Sequence, residues 1–417
     1  MAEAHTLPDA ADSHPDGLRW MVGAPPPRDR QVRFAEGGLF DFPRLRWSFS
    51  NMRQLMPTVG VWRGDGPVAV LPRADRDDID ALTFMPLGAA APMRWDASLA
   101  ANYTDGIVVL HRGRIVYERY PGGLTAHGQH IAWSITKSLV ATVAASLVTE
   151  GALDPEAPVT TWVPELAESG WGVATVRQVM DMTTALRYSE DYADPTAEVW
   201  THAHAGGIIP RPVGYDGPDG FCAFLPTVQP DGPHGHRFTY RTANTDVLGW
   251  IVRRITGQPL AQTLSERLWA PIGAEQDGYV TVDAEGTEFA GGGFNGALRD
   301  MARFGETMRC GGVFNGRQVV PRAAVADTVR GGDPAHFAQA GYALLPGWSY
   351  RNMWWVTHNA HGAYCARGIH GQNIYVDPKA EMVIARFASH PLAASVHTDP
   401  TTLPAYHALA QHLLASS

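Results

Sequence analysis

The stretch that most constrains the fold is residues 132–151, where a Ser-x-x-Lys sequence opens an apolar helix that ends at a glycine. The apolar positions after the lysine recur at helical spacing, namely Leu139, Val140, Val143, Leu147 and Val148. Because positions i and i+3 share one face of a helix, the amine of Lys137 can reach the hydroxyl of Ser134. The positive end of the helix and partial burial both disfavour a protonated amine. A neutral lysine can take the serine proton and so create a nucleophile.

Lysine is rare in this chain, because Lys137 and Lys379 are the only lysines among 33 basic residues. Arginine keeps its proton in proteins, whereas a lysine amine can lose it. The use of lysine at position 137 therefore indicates a residue that has to be deprotonated. The alternative interpretation is a helix start at which a surface lysine happens to follow a serine.

Composition excludes several classes of function. The 417 residues are enough for one large domain or two interleaved domains, and a formal net charge of −9 argues against nucleic acid as a partner. The three cysteines are too few for a disulfide framework and match no zinc spacing. The N-terminus lacks the basic start and apolar core of a secretory signal, and no apolar run could span a bilayer, so we expect a cytoplasmic protein without a membrane partner.

Two predicted β-hairpins lie far apart in the sequence. The first covers residues 106–120 and turns at Arg112-Gly113, and the second covers 372–387 and turns at Asp377-Pro378. Two such hairpins can form one antiparallel sheet with helices on its faces, which is an α+β fold.

The domain prediction has three parts, with the site in a cleft between two lobes. We expect a loosely ordered N-terminal arm over residues 1–33. An α/β lobe would combine residues 34–175 with 290–417, and residues 176–289 would form a mostly helical lobe.

A serine hydrolase also needs a proton relay and an oxyanion hole. Tyr240 precedes a predicted helix over residues 244–255, and we expect backbone N–H groups and Lys137 to favour its phenolate form. The glycine-marked segment 367–372 leads into the second hairpin and could present a backbone N–H to a substrate carbonyl.

These motifs, in this order, resemble those of the superfamily of serine β-lactamases, penicillin-binding proteins and family VIII carboxylesterases. Within it, the chain is most similar to the 6-aminohexanoate-dimer hydrolases, which are nylon-oligomer hydrolases. The likeness extends over residues 40–415 and is carried by segments 134–139, 163–166, 188–195, 243–248, 353–355 and 368–373. It implies a β-lactamase-like (DD-peptidase) fold, an acyl-enzyme mechanism on a small amide or ester, no cofactor or metal, and a homodimer.

The resemblance also implies roles for individual residues. Ser134 would be the nucleophile, Lys137 its base, and Tyr240 the residue that passes the proton to the leaving group. The N–H groups of Ser134 and Ile369 would form the oxyanion hole. Two further residues would contact substrate, Tyr192 at the scissile amide and Trp355 in the pocket wall.

Three positions depart from the pattern of the relatives. Efficient nylon-dimer hydrolases have an aspartate, which holds the substrate ammonium, where this chain has Ala203, and an asparagine where it has Gly291. Without that aspartate, strong amidase action on the dimer is not expected. The superfamily has Lys-Thr-Gly where this chain has residues 366–368, which argues against β-lactam turnover. Arg367 would either anchor a substrate carboxylate or form a surface salt bridge.

Other signals are set aside. Segment 291–296 matches Gly-x-Gly-x-x-Gly, but no buried strand precedes it, so we expect no dinucleotide. The histidine pairs at 202/204, 234/236 and 358/361 are expected to be solvated loop residues, and His370 is expected to support the site rather than bind a metal.

Taken together, the sequence favours a nylon-oligomer hydrolase with carboxylesterase activity. The alternatives are a short-chain carboxylesterase and a non-catalytic ligand-binding relative.

Overall fold

The computed structural model describes residues 7–416, which form the predicted sheet together with a second, smaller one. The strands are β1 Thr58–Val61, β2 Thr83–Phe84, β3 Met93–Arg94, β4 Thr104–His111, β5 Arg114–Arg119, β6 Gln129–Ile131, β7 Gly278–Thr281, β8 Phe294–Ala297, β9 Val313–Phe314, β10 Arg317–Gln318, β11 Ser349–Arg351, β12 Trp354–Val356, β13 Tyr364–Gly368, β14 Gln372–Asp377 and β15 Met382–Ala388. The α-helices are α1 Pro15–Leu18, α2 Leu45–Ser48, α3 Trp95–Ala101, α4 Ile135–Thr149, α5 Val176–Met180, α6 Glu198–Ala205, α7 Phe221–Phe224, α8 Ala243–Thr256, α9 Leu260–Leu264, α10 Leu298–Arg309, α11 Arg322–Arg330, α12 Pro334–Ala338 and α13 Asp399–Ala415.

The two predicted hairpins are neighbours in a seven-stranded sheet of order β11-β12-β13-β14-β15-β4-β5. Strand β15 pairs antiparallel with β4, so that Ile384 lies opposite Val109. The turn between β4 and β5 holds Arg112 and Gly113 at φ values of 52° and 74°, the left-handed conformation that a tight hairpin requires. The prediction of one antiparallel sheet from two distant hairpins is confirmed.

A second sheet, of order β1-β7-β8-β6, holds the turn that carries the predicted nucleophile. Strand β6 ends at Ile131, and the N–H of Ala132 then donates to the carbonyl of Phe294 in β8 at 2.8 Å. The N–H of Phe294 donates in turn to Thr136 Oγ1 at 3.0 Å, inside α4. Strand β8 is therefore bonded to the chain on both sides of Ser134.

Helix α4 is buried over residues 135–147 and packs against α8, α9, α11 and the strands β13 and β14. Its end is the predicted one, since Gly151 follows it in a left-handed conformation with a φ of 75°.

No helix within residues 7–416 combines the length and apolar character that crossing a membrane requires.

The segment predicted to be a helical lobe, residues 176–289, carries helices α5–α9. It also contains β7, which pairs with β1 and β8 in the four-stranded sheet. The run Gly278-Tyr-Val-Thr is fully buried, as expected of a strand inside a sheet. The helices of this segment therefore end before β7, and the chain is already back in a sheet by residue 278.

The prediction of a loose arm over residues 1–33 requires a correction for residues 7–33, while residues 1–6 lie outside the described part. Arg46, which is 1% exposed, donates from Nη1 to the carbonyl of Ala10 at 2.5 Å and to Ser13 Oγ at 2.9 Å. Val32 is also buried, at 2% exposed. The arm packs because a buried guanidinium in the body needs acceptors that the arm supplies.

Candidate active site

Ser134 and Lys137 meet as the Ser-x-x-Lys spacing predicts. Lys137 is 1% exposed, and its Nζ donates to Ser134 Oγ at 2.9 Å and to the carbonyl of Gly291 at 2.5 Å. Burial lowers the pKa of Lys137 to about 8, while the charges of Glu190 and Asp246 oppose that shift. A minority of the amine is therefore neutral near physiological pH and able to accept a proton.

The residue before the nucleophile has an uncommon backbone. Trp133 has a φ of 45°, a left-handed conformation that bulky residues seldom adopt. Its ring stacks on Phe40 with centroids 5.1 Å apart and meets Phe49 edge-on at 5.4 Å. These aromatic contacts, together with the bonds to β8, hold the turn that presents Ser134.

Tyr240 comes close to the same pair from the segment before α8. Its ring centroid lies 5.2 Å from Lys137 Nζ, and the ring stacks on Trp355 at 5.6 Å. Burial, followed by the negative charge of Glu190, raises the pKa of Tyr240 well above its usual value, and a hydrogen bond with Ser134 opposes the shift only in part. This direction is opposite to the predicted one, because desolvation outweighs the local donors and favours the protonated phenol.

Glu190 is a residue that the sequence reasoning missed. Its carboxylate accepts from the hydroxyl of Tyr192 at 2.7 Å, from Thr242 Oγ1 at 2.7 Å and from the N–H of Thr242 at 2.6 Å. It thereby ties the loop that carries Tyr192 to the start of α8. Its place inside the Tyr-x-Glu-Asp-Tyr segment was the available signal.

Ser134 lines two cavities of different character. The larger has a volume of about 750 Å³, and its walls include Tyr240, Trp355, Tyr342 and Arg237. The smaller, of about 60 Å³, is called the recess below, and its walls are Phe40, Trp133, Tyr192, Val199, Trp200, His202, Ala203, Ile208, Phe221, Thr242, Phe289, Gly291, Gly292 and Ile369. Tyr192 and Ile369 border both cavities, whereas Tyr240 and Trp355 border only the larger one.

The end of β13 approaches the nucleophile closely. A Cβ on Gly368 would lie 2.7 Å from the carbonyl oxygen of Ala132, so this approach requires glycine. Ile369 follows directly. In the turns, loops and caps of residues 7–416, neither the N–H of Ile369 nor that of Ser134 donates to another backbone group. The oxyanion hole formed by these two N–H groups stays a prediction.

The chain matches the Beta-lactamase family model over residues 98–407. It belongs to the beta-lactamase family. It is 39% identical over 351 residues to 6-aminohexanoate-dimer hydrolase of Paenarthrobacter ureafaciens, covering 84% of this chain and 86% of that protein. Esterase EstB of Burkholderia gladioli is 31% identical over 163 residues, which are 36% of this chain and 38% of the esterase.

Among solved structures, a candidate 6-aminohexanoate-dimer hydrolase from Bacillus anthracis superposes with a TM-score of 0.84 at 32% identity. It covers 94% of this chain and 99% of its own. The fold is therefore beta-lactamase-like, with antiparallel sheets flanked by helices. The protein is an enzyme, a serine hydrolase of this family whose relatives include a 6-aminohexanoate-dimer hydrolase and an esterase.

Arg367, at the position aligned with the Lys-Thr-Gly segment of the family, is already paired. Its guanidinium forms a buried ion pair with Asp399 and lies over the rings of Trp355 and Trp348, at 5.1 and 5.8 Å. The predicted surface salt bridge is wrong in its location, because both partners are below 8% exposed. The ion pair uses Nη2 of the guanidinium, and Arg367 also lines the larger cavity, so its predicted contact with a substrate carboxylate stays a prediction.

His370 lies behind the cavity walls. Its Nδ1 bonds the carbonyl of His390 at 2.6 Å, its ring meets Phe49 at 5.1 Å, and burial lowers its pKa to about 4. It does not border either cavity, in keeping with a supporting position.

Ala203 and Gly291, the two departures from the subgroup, both line the recess. A Cβ on Gly291 would come within 2.4 Å of Thr242 Cγ2, so any side chain at position 291 needs its neighbours to move.

His202 was expected to be a solvated loop residue, and this expectation is wrong. His202 lies on helix α6 and is only 2% exposed. Within residues 7–416 no three histidine, cysteine or acidic side chains are grouped so as to hold a metal ion.

Proposed function

We propose that this enzyme hydrolyses small amides or esters through an acyl-enzyme on Ser134. The observation that carries the proposal is the buried, partly neutral amine of Lys137 at 2.9 Å from Ser134 Oγ, where two cavities meet. Lys137 would accept the hydroxyl proton as Oγ bonds to the substrate carbonyl carbon. The N–H groups of Ser134 and Ile369 would stabilise the oxyanion that forms.

Tyr240 completes the proposed cycle as a general acid. Its phenol would donate a proton to the leaving amine or alkoxide as the carbonyl–heteroatom bond breaks, and the proton held by Lys137 would then restore the phenol. Water attacks the acyl-enzyme by the reverse route and releases the carboxylic acid and free Ser134. Because Tyr240 borders only the large cavity, the leaving group occupies that cavity and the acyl group enters the recess.

For the substrate, we propose 6-aminohexanoate oligomers, with carboxylesterase activity on the same site. The likeness to the Paenarthrobacter enzyme over most of both chains supports this choice. A short-chain carboxylesterase is the second candidate, because the recess has Ala203 and no carboxylate among its lining residues. An apolar recess of about 60 Å³ suits a short aliphatic acyl group.

A fluorophosphonate probe, read by intact-protein mass spectrometry, tests the chemistry. We expect one phosphonyl adduct on the wild type and none on Ser134→Ala. Ser138→Ala is the matched control, since Ser138 lies one turn further along α4 and its Oγ donates to the carbonyl of Met353. An unlabelled wild type, or an adduct that survives Ser134→Ala, would contradict the proposal. Parallel turnover of the aminohexanoate dimer and of p-nitrophenyl acetate then separates the two candidate substrates.

A further inference from the structure

Next to the reacting groups lies a buried carboxylate–imidazole pair that the proposed cycle does not use. Asp246, in the first turn of α8, is 5% exposed, and His202 is 2% exposed. Asp246 Oδ2 lies 3.2 Å from His202 Nε2, and His202 Nδ1 bonds the hydroxyl of Tyr188 at 2.9 Å. The imidazole also stacks on Phe224 with centroids 4.6 Å apart. His202 thus packs against Asp246, although neither Asp246 Oδ2 nor His202 Nε2 makes a hydrogen bond within residues 7–416.

Asp246 is connected to Lys137 through a single glycine. The N–H of Gly291 donates to Asp246 Oδ1 at 3.0 Å, and the carbonyl of Gly291 accepts from Lys137 Nζ at 2.5 Å. A Cβ on this residue would lie 3.1 Å from Asp246 Oδ2, so the close approach favours glycine. A side chain on α8 thus determines where a backbone carbonyl points beside the amine.

That carbonyl matters for the direction of the lysine lone pair. A neutral amine has two N–H bonds and one lone pair, and Gly291 takes one of the N–H bonds. With this bond fixed, the lone pair can face Ser134 Oγ, from which the proton has to come. In the ammonium form, an N–H points to Ser134 Oγ instead, which is the 2.9 Å contact seen here.

We propose that Asp246 is a positioning residue, which acts on Lys137 through the backbone of Gly291 and through its own negative charge. The inference depends on the proposed role of Lys137 as the base. The carboxylate would hold the acceptor that orients the amine and would also stabilise the ammonium form that follows proton transfer.

The charges around the amine support this second part of the role. Burial drives the pKa of Lys137 down to about 8, and Glu190 and Asp246 are the charges that act against burial. A general base works best with a pKa near the working pH, so two carboxylates that limit the fall keep the amine effective. Asp246 itself has ionisable neighbours from four other elements or turns, namely Tyr188, His202, Cys222 and Glu288, and Arg253 is a neighbour on its own helix. Arg253 and Glu288 offset each other, because they form an ion pair at 3.2 Å.

The test is the pH dependence of fluorophosphonate labelling at Ser134, measured from pH 5.5 to 9.5 in the full-length enzyme. We expect the wild-type second-order rate constant to rise with pH as Lys137 loses its proton. Asp246→Asn keeps an acceptor for Gly291 but removes the charge, so this rise should move to lower pH by about one unit. Asp246→Ala should show the same displacement and a plateau roughly tenfold lower, since the amine is no longer oriented.

The matched control is Asp300→Asn, which alters a fully buried carboxylate bonded to Arg303 and to the N–H groups of Glu275 and Gln276. Its labelling profile should keep the wild-type midpoint. Partial unfolding of any variant lowers the labelled amount and leaves the midpoint in place, so a purely structural role predicts no displacement.

The outcomes separate this inference from the proposed function. If the wild type is not labelled at all, the proposed function is wrong. If the wild type is labelled at Ser134, and Asp246→Asn and Asp246→Ala have the same labelling midpoint as the wild type, only the role of Asp246 is wrong.

Discussion

The two cavities that meet at Ser134 differ in size and in chemistry. The large cavity of about 750 Å³ has charged side chains in its wall, including Glu190, Asp191 and Arg237. The recess of about 60 Å³ is lined mainly by aromatic and aliphatic side chains, among them Ala203, and has no carboxylate among the lining residues that the structure describes. Under the proposed function, the two halves of a substrate would therefore be recognised by different forces on the two sides of Ser134.

The proposed function assigns the leaving group to the large cavity and the acyl group to the recess. That assignment rests on Tyr240, which borders the large cavity only. The shape and polarity of each cavity would then set specificity separately. A substitution in one cavity should therefore change the preference for the acyl group or for the leaving group, but not for both.

Tyr240→Phe should give the largest loss. Removal of the phenolic proton donor should lower kcat for amides by about 10²- to 10⁴-fold. Hydrolysis of p-nitrophenyl esters should fall much less, because p-nitrophenolate leaves without being protonated. The control is Tyr342→Phe, which changes another tyrosine of the same cavity. Equal losses for amide and aryl ester would break the assignment of the leaving group to the Tyr240 side.

Ala203→Asp should place a negative charge in the otherwise apolar recess. A carboxylate there can bond a substrate ammonium, and a charged hydrogen bond of about 1.5–3 kcal/mol corresponds to a gain of roughly ten- to a hundredfold in kcat/KM for the aminohexanoate dimer. Hydrolysis of p-nitrophenyl butyrate should fall, since an apolar acyl group would meet a charge.

Ala203→Asn separates charge from size in that experiment, because the two side chains have nearly the same shape. It should give little of the gain for the dimer. If Ala203→Asp leaves dimer hydrolysis unchanged, the recess does not hold the amino end of the substrate and the comparison between the cavities loses its acyl side.

Local patterns in the sequence were sufficient for much of this site. Ser134 and Lys137 are one helical turn apart, so their contact follows from helix geometry, and the hairpin at Arg112-Gly113 follows from turn chemistry. The choice of Tyr240 came from order along the chain, and its position beside Lys137 agrees with that choice.

Long-range packing decided what the sequence left open. The protonation of Tyr240 depends on burial by residues distant in the sequence, and a local motif cannot predict that burial. The pairing of Arg367 joins β13 to Asp399, 32 residues further on, and so could not be predicted from its own segment. The same holds for Asp246, whose place within α8 resembles that of an ordinary first-turn acid until Gly291 is seen against it.

Arg237→Gln should have the smallest effect, confined to the large cavity. Arg367 is occupied by Asp399, whereas the guanidinium of Arg237 forms no ion pair or hydrogen bond with side chains of residues 7–416. An exposed charge pair contributes up to about 1 kcal/mol, so KM should rise about three- to fivefold for substrates whose leaving group carries a carboxylate. The matched control is Arg317→Gln, an exposed arginine outside this cavity. Neutral p-nitrophenyl esters should show no change in either variant, and an equal rise in KM for neutral and anionic substrates would remove Arg237 from substrate recognition.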